Sequence, residues 1–246
     1  MGHDLAYFVD RLARRTRQDH GGQGKSMAAN RYRLVIGNKN WSSWSLRPWI
    51  AMRRFGLPFE EINVRLRLPE SKAEILRFSP SGLVPLLLDG DLAIWDSLAI
   101  LEYLADEHPD LGVWPADRQA RALARCVSAE IHSGFGALRR TCSMEILASN
   151  PLDPVPEDVE IDTRRIVELW RDCRARFGSG GPFLFGAFSA ADAMYAPAAS
   201  RFRTYLPDLA PFGDDGTAAA YVANIFAMPE MTEWVAGARA EVAAAS

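Results

Sequence analysis

The sequence predicts an α/β unit followed by an all-α unit, and three observations carry that expectation. Between Ser81 and Leu104 an apolar hairpin pattern feeds directly into an amphipathic helix. Ahead of it, strand-like and helix-like segments alternate from Tyr32 onward. Beyond Arg118 the periodicity is helical and alanine-rich, with no convincing strand pair.

Residues 1–30 stand apart. Their basic stretch LAYFVDRLARRTRQ runs into the polar, glycine-rich DHGGQGKS, and Asp4 and Asp10 interrupt the pattern of a transit peptide. The expectation is a disordered extension or a misread start codon, with Met27 as the native start. From Tyr32, Leu34-Val35-Ile36-Gly37 reads as a short buried strand, 38–45 as a loop, and 46–55 as a helix closed by Gly56-Leu57-Pro58. Residues 59–64 alternate like a second strand, and 71–78 read as a second helix ended by Ser79-Pro80. Val84-Pro85 then opens an apolar run. Proline lacks an N–H, so here it marks a sheet edge or a cis bond. Asp89-Gly90 turns the chain, 92–95 run back, and Asp96-Ser97 heads a helix reaching His108. This βαβ-ββα order is that of a thioredoxin-like domain, 31–108. A linker at 109–117 carries prolines and a glycine and leads to the all-α domain, 118–246, with long loops at 150–158 and 208–217. Ser189 and Asp192 have capping-box spacing and read as folding determinants.

Composition narrows the function classes. The chain has 246 residues, 48% of them apolar, and a formal charge of −3. That balance gives no electrostatic case for nucleic acid or an anionic membrane, and no apolar run approaches a membrane span. Cys126, Cys142 and Cys173 are odd in number and lack metal-site or disulfide spacing, so they read as small core residues in a reducing cytoplasm. No metal-ligand cluster or phosphate loop is evident.

Four elements, in order, resemble the cytosolic glutathione S-transferase family. Ser42-Ser43-Trp44-Ser45-Leu46-Arg47 is similar to the zeta-class signature Ser-Ser-Cys-Ser followed by an arginine, with tryptophan in place of the cysteine. Val84-Pro85 resembles the family's cis-proline step, and Asp96-Ser97 its acidic-Ser pair. Phe188-Ser189-Ala190-Ala191-Asp192 resembles the buried capping box of its helical domain. The resemblance runs from Tyr32 to about Ala240. It implies a glutathione S-transferase with an N-terminal glutathione site, a helical second-substrate pocket and a homodimeric assembly. A zeta-like, glutathione-dependent maleylacetoacetate cis–trans isomerase is the alternative, and a glutathione-binding module without turnover is a third reading.

Physical chemistry gives those residues roles. A free thiol has a pKa of about 8.5, and lowering it by about two units takes roughly 2.7 kcal/mol of differential stabilisation. A hydroxyl donating to the thiolate at a helix N-terminus supplies a share of that. Ser42 is the expected donor, with Ser43 and Ser45 as rivals, one of the three being expected to cap the helix. The cis-proline leaves the Val84 N–H and C=O free to pair with an extended tripeptide. Ser97 and the helix amides suit the γ-glutamyl carboxylate, and Asp96 its ammonium group or the neighbouring backbone. Where family members carry lysine or glutamine, this chain has Leu83. His132, Arg139 and Arg140, expected on one helix, are the second-substrate candidates, with Trp41 and Trp44 at the pocket entrance.

Overall fold

The computed structural model describes residues 31–245, so the expectation for 1–30 lies outside the described residues. The N-terminal part runs β1 (Tyr32–Gly37), α1 (Ser43–Arg54), β2 (Phe59–Val64), α2 (Ser71–Ile75), β3 (Leu86–Asp89), β4 (Leu92–Ile94) and α3 (Ser97–Glu107). Its four strands lie in the order β2-β1-β3-β4. β1 pairs parallel with β2, and β3 runs antiparallel to both β1 and β4. This is the expected βαβ-ββα sheet. On one face Val35, Val64, Ile75, Leu86 and Leu88 close a small core under α2. On the other, Leu34, Ile36 and Leu87 join the main core, which runs through α1 and α3 into the helical part.

Several boundaries differ from expectation. Helix α1 begins at Ser43, three residues before the predicted start, because the polar Ser-Trp-Ser segment is helical and largely buried. Helix α2 ends at Ile75, earlier than the predicted 78. At the hairpin, Asp89 is still paired with Leu92, so the two-residue loop is Gly90-Asp91. Gly90 has φ +57°, the conformation that the first loop position of a tight hairpin asks of glycine. Asp89 thereby stays in the sheet, where it accepts from Arg31 and, at 2.7 Å, from Tyr103.

The helical part comprises α4 (Arg118–Ser133), α5 (Gly136–Thr141), α6 (Glu157–Phe177), α7 (Ala190–Tyr205), α8 (Thr217–Ala227) and α9 (Pro229–Ala243). Helix α7 is buried along almost its whole length, its alanines letting α1 and α4 approach closely. Its first turn carries the expected capping box: the Ser189 N–H donates to Asp192 at 2.8 Å while the Ser189 side chain meets the N3 backbone. Asp192 also accepts from the Leu184 N–H and the Tyr221 hydroxyl. Helix α9 folds back onto the first part, with Trp234 against Trp49 at 5.1 Å and its indole N–H on the Lys39 carbonyl. Lys39 is buried there and pairs with Glu61 and Glu241. These contacts fix the helical part against the mouth of β1, where α1 begins.

Candidate active site

The three serines at the start of α1 have separate partners. Ser42 occupies the N-cap position, but among the described residues none of the three hydroxyls accepts from a first-turn N–H of α1, contrary to expectation. The Ser42 Oγ lies 2.7 Å from the Ser45 Oγ, which also accepts from the Gly37 N–H at 3.1 Å. The Ser43 Oγ instead accepts from the Arg201 guanidinium at 3.2 Å, tying α1 to α7. Ser42 and Ser45 thus form one hydroxyl pair at a helix N-terminus, where the dipole favours negative charge, and Ser43 belongs to the domain junction.

The Val84–Pro85 bond is cis. Pro85 is buried and Val84 is half-buried. Among the described residues the Val84 N–H and C=O take no part in the sheet ladder. Leu83, at 65% exposure, points away from the core. Asp96 is the N-cap of α3: its Oδ1 accepts from Leu98 N–H at 3.0 Å and Ala99 N–H at 3.4 Å. Ser97 follows as the first helical residue and is fully buried. Its hydroxyl accepts from Arg47 Nη1 at 3.4 Å, so one side chain joins the starts of α1 and α3.

The helical part reaches this place through His132. His132 Nε2 lies 3.0 Å from Asp96 Oδ2, and its ring meets Trp44 edge-on at 5.3 Å. The expected single helix carrying His132, Arg139 and Arg140 is corrected. The chain breaks at Gly134-Phe135-Gly136, with Phe135 at φ +58°, so His132 lies in the last turn of α4 while both arginines lie on α5. Arg139 turns back to cap α4, donating to the carbonyls of Ile131 at 2.9 Å, His132 at 3.3 Å and Gly134. That geometry satisfies helix-end carbonyls that lack intrahelical donors. Its guanidinium still lies 5.5 Å from the centre of the Trp44 ring. Arg140 faces the surface, 3.8 Å from Asp158.

Two arginines that sequence reasoning did not assign to the site sit at its centre. Arg47 is 3% exposed, with its guanidinium 4.1 Å from the centre of the Trp44 ring. Burial, then the nearby Arg201 and Arg139 charges, pull its pKa down to about 9. Arg201 is also buried, holding the Cys142 and Pro197 carbonyls and Ser43. Burial and then Arg139 bring it to about 10. Trp44 therefore stands among Arg47, Arg139 and His132. Trp41 lies apart, under the Arg67 guanidinium at 4.5 Å, on the wall of a cavity of about 470 Å³ shared with Asn40, Leu68 and Glu241. Of the cysteines, Cys142 and Cys173 are buried, and burial pushes their thiols up to about 11 and about 12. Cys126 is exposed on α4, contrary to the expectation of a core residue. Among the described residues no cluster of His, Cys, Asp and Glu could hold a metal ion.

A thioredoxin-like sheet with a cis-proline edge is followed by a helical part that reaches back to the start of its first helix. Family models of the glutathione S-transferase N-terminal domain and C-terminal domain match residues 41–107 and 156–238, together more than half of the chain. The chain belongs to the glutathione S-transferase family. It is 37% identical over 130 residues to a zeta-class glutathione S-transferase of Euphorbia esula, covering 52% of this chain and 58% of the relative. It is 34% identical over 106 residues to a probable maleylacetoacetate isomerase of Caenorhabditis elegans, covering 43% and 50%. The chain thus spans about half the length of the curated relatives it matches. A crystal structure of a glutathione transferase homologue from Burkholderia gl BGR1, with bound glutathione, covers 85% of this chain and 98% of its own at a TM-score of 0.64 and 24% identity. That likeness is one of fold.

Proposed function

We propose that this protein is a glutathione transferase that activates the thiol of glutathione for attack on a small electrophile. The observation that carries the reading is the contact between Arg47 and Ser97, which brings the N-termini of α1 and α3 to one place. Glutathione lies along the Val84 edge as an added strand, its γ-glutamyl carboxylate toward Ser97 and the α3 amides, and its ammonium group toward Asp96. Its thiol then reaches the start of α1. There the Ser42 hydroxyl turns from Ser45 to donate to sulfur, and Ser45 donates to Ser42 in its place. The deprotonated sulfur forms the new bond to carbon as the electrophile's leaving group departs or its π electrons shift away, and the thiol proton goes to solvent. The cradle belongs to 31–108 and the second-substrate wall to 118–246, with His132 and Arg139 nearest Trp44 and Arg140 at the rim.

A second reading has its own support. Arg47, Arg139 and Arg201 surround the start of α1 with positive charge, which suits an acidic electrophile, and two relatives named as probable maleylacetoacetate isomerases are 34% and 39% identical to this chain over 106 and 98 residues. In that reading glutathione adds, the double bond rotates, and glutathione leaves unchanged. A homodimer in the cytoplasm is part of the proposal. Exposed Leu92 and Trp95, on and just after the edge strand β4, favour a second copy, and three unpaired cysteines suit a reducing compartment.

Calorimetry tests the reading. Glutathione should bind with about −4 to −8 kcal/mol, a millimolar to micromolar dissociation constant; no heat and no thermal shift at saturating glutathione would leave neither enzymatic reading standing. Maleylacetoacetate with catalytic glutathione separates the two. Turnover without glutathione consumption selects the isomerase, and stoichiometric conjugation of model electrophiles without isomerisation selects the transferase.

A further inference from the structure

Helix α9 grips one loop with one face. Trp234, Gly237 and Glu241 are three and four residues apart, so they share a stripe of the helix, and all three meet the segment 38–42 that leads into α1. The Trp234 indole N–H donates to the Lys39 carbonyl at 2.9 Å. Gly237 leaves room for the Lys39 stem, since a Cβ there would lie 2.6 Å from Lys39 Cδ. Glu241 Oε2 accepts from the Lys39 N–H at 2.8 Å and from Asn38 Nδ2 at 3.4 Å, while its Oε1 accepts from Asn63 Nδ2.

Asn38 carries that hold on to Ser42. Its side chain is pinned at both ends, Nδ2 by Glu241 and Oδ1 by the Leu66 N–H at 2.7 Å. Its carbonyl then accepts from the Trp41 N–H at 3.1 Å and the Ser42 N–H at 2.8 Å. Ser42 is thereby kept at φ −84°, ψ 81°, short of the extended conformation in which an N-cap serine turns its hydroxyl onto the first-turn amides. Its hydroxyl meets Ser45 instead. A hydroxyl drawn down onto the helix amides would leave the place where it meets a thiol, and a misplacement of about 1 Å at a reacting group costs on the order of 100-fold in rate.

We infer that Glu241 is a positioning residue for thiol activation: from the last helix it holds Asn38, and through the Asn38 carbonyl it keeps the Ser42 hydroxyl off the helix amides and available to the glutathione sulfur. The inference rests on the glutathione reading and deepens it. A carboxylate suits the position because its oxygens only accept, and the Lys39 N–H and the two asparagine amides all donate to it. Without that carboxylate the Lys39 N–H loses its acceptor, the Asn38 side chain turns free at one end, and Ser42 relaxes to an ordinary N-cap. Glu241 touches neither thiol nor electrophile and acts only through the loop.

The test follows the bound thiol. Thiolate absorbance of bound glutathione against pH, kcat on a model electrophile and calorimetric glutathione affinity are measured for wild type, Glu241→Ala and Glu233→Ala. Glu241→Ala should raise the pKa of the bound thiol and lower kcat by about 10- to 100-fold, with glutathione affinity within about threefold of wild type. Glu233→Ala removes a different contact between α9 and α1, the ion pair with Arg53 at 3.2 Å, and should match wild type in all three. In a Ser42→Ala background, Glu241→Ala should lower kcat by less than about a further twofold, because a residue acting through Ser42 has nothing left to position. A thiol titration that Glu241→Ala leaves unchanged, one that Glu233→Ala shifts equally, or a loss of kcat that persists undiminished beside Ser42→Ala overturns the inference while glutathione binding still stands. Wild type without a thiolate signal at saturating glutathione overturns the glutathione reading and the inference with it. Should Glu241→Ala not fold, Asn38→Ala cuts the same hold at its near end and reads the same titration; failure of both to fold would mark the pair as structural and reject the assignment.

Discussion

His132 Nε2 and Asp96 Oδ2 lie 3.0 Å apart, the end of a helical-domain helix meeting the first residue of the acidic-Ser pair in the sheet domain. The contact is half-exposed, so its direct contribution to stability is small, up to about 1 kcal/mol. Its consequence is positional. Asp96 caps α3 with one oxygen and faces His132 with the other, so the imidazole orients the carboxylate that would meet the ammonium of glutathione. His132→Ala should therefore weaken glutathione by about 3- to 10-fold, roughly 0.7 to 1.4 kcal/mol, with the melting temperature nearly unchanged. Calorimetry and thermal melting on the same preparation check this. Unchanged affinity with a lowered melting temperature would show that the pair serves the domain junction alone.

Ser42 and Ser45 share one hydrogen bond, and this changes the expected behaviour of the serine variants. Ser42→Ala should raise the pKa of the bound thiol and lower kcat/KM by on the order of 10- to 1000-fold, about 1.4 to 4 kcal/mol. Ser45→Ala should show part of the same shift, because it removes the donor behind Ser42 and leaves the Gly37 N–H without its acceptor. Ser43→Ala should instead loosen the Arg201 contact and leave the thiol titration in place. Thiolate absorbance followed against pH in each variant separates these outcomes. A shift in Ser43→Ala alone would move the donor one residue along the helix.

The hairpin, the cis-proline edge and the capping box were legible because each depends on local chemistry: a residue without an N–H, a turn glycine, a Ser/Asp pair three apart. The start of α1 was less so. Ser-Trp-Ser reads as polar loop until α7 packs over it, and burial by a segment some 150 residues distant has no local signature. The helix break at Gly134-Phe135-Gly136 does carry a signal, two glycines within three residues, which the expectation of one helix through His132 and Arg139 passes over. Arg47 stands in the sequence as the arginine of the signature but without a role, and Arg201 carries no sequence signal, both for a physical reason. Arginine in a sequence reads as a solvated charge, and only tertiary packing reveals one held at 3% exposure.

The cysteines differ in access, and a thiol reagent should read that difference directly. Cys126 is exposed, whereas Cys142 and Cys173 are buried and have thiols pushed to about 11 and about 12. The reactive species is the thiolate. Native protein at pH 8 should accordingly label rapidly at one position, and denatured protein at all three. Cys126→Ser should remove the rapid phase. Rapid labelling of Cys142 would contradict the packing around Arg201, whose Nε lies 2.9 Å from the Cys142 carbonyl.

Asp192 gives a pH dependence with a defined sign. Burial pushes its carboxyl up to about 6, against four hydrogen bonds from Leu184, Ser189 and Tyr221 that pull it down. A carboxyl whose folded pKa lies above its ordinary 3.8 binds its proton more tightly in the folded state. Its contribution is therefore most favourable below about pH 4 and is lost as pH rises through about 6, a span of about 3 kcal/mol. Asp192→Asn cannot titrate and disrupts the capping box, with a cost of about 1 to 2 kcal/mol that does not vary with pH. The stability advantage of wild type over Asp192→Asn should shrink between pH 4 and pH 7, measured by urea unfolding at each pH. Tyr221→Phe removes one donor to the carboxylate and should move the midpoint of that change upward. Parallel pH profiles for wild type and Asp192→Asn would show instead that the hydrogen bonds outweigh burial and that Asp192 is ionised throughout the range.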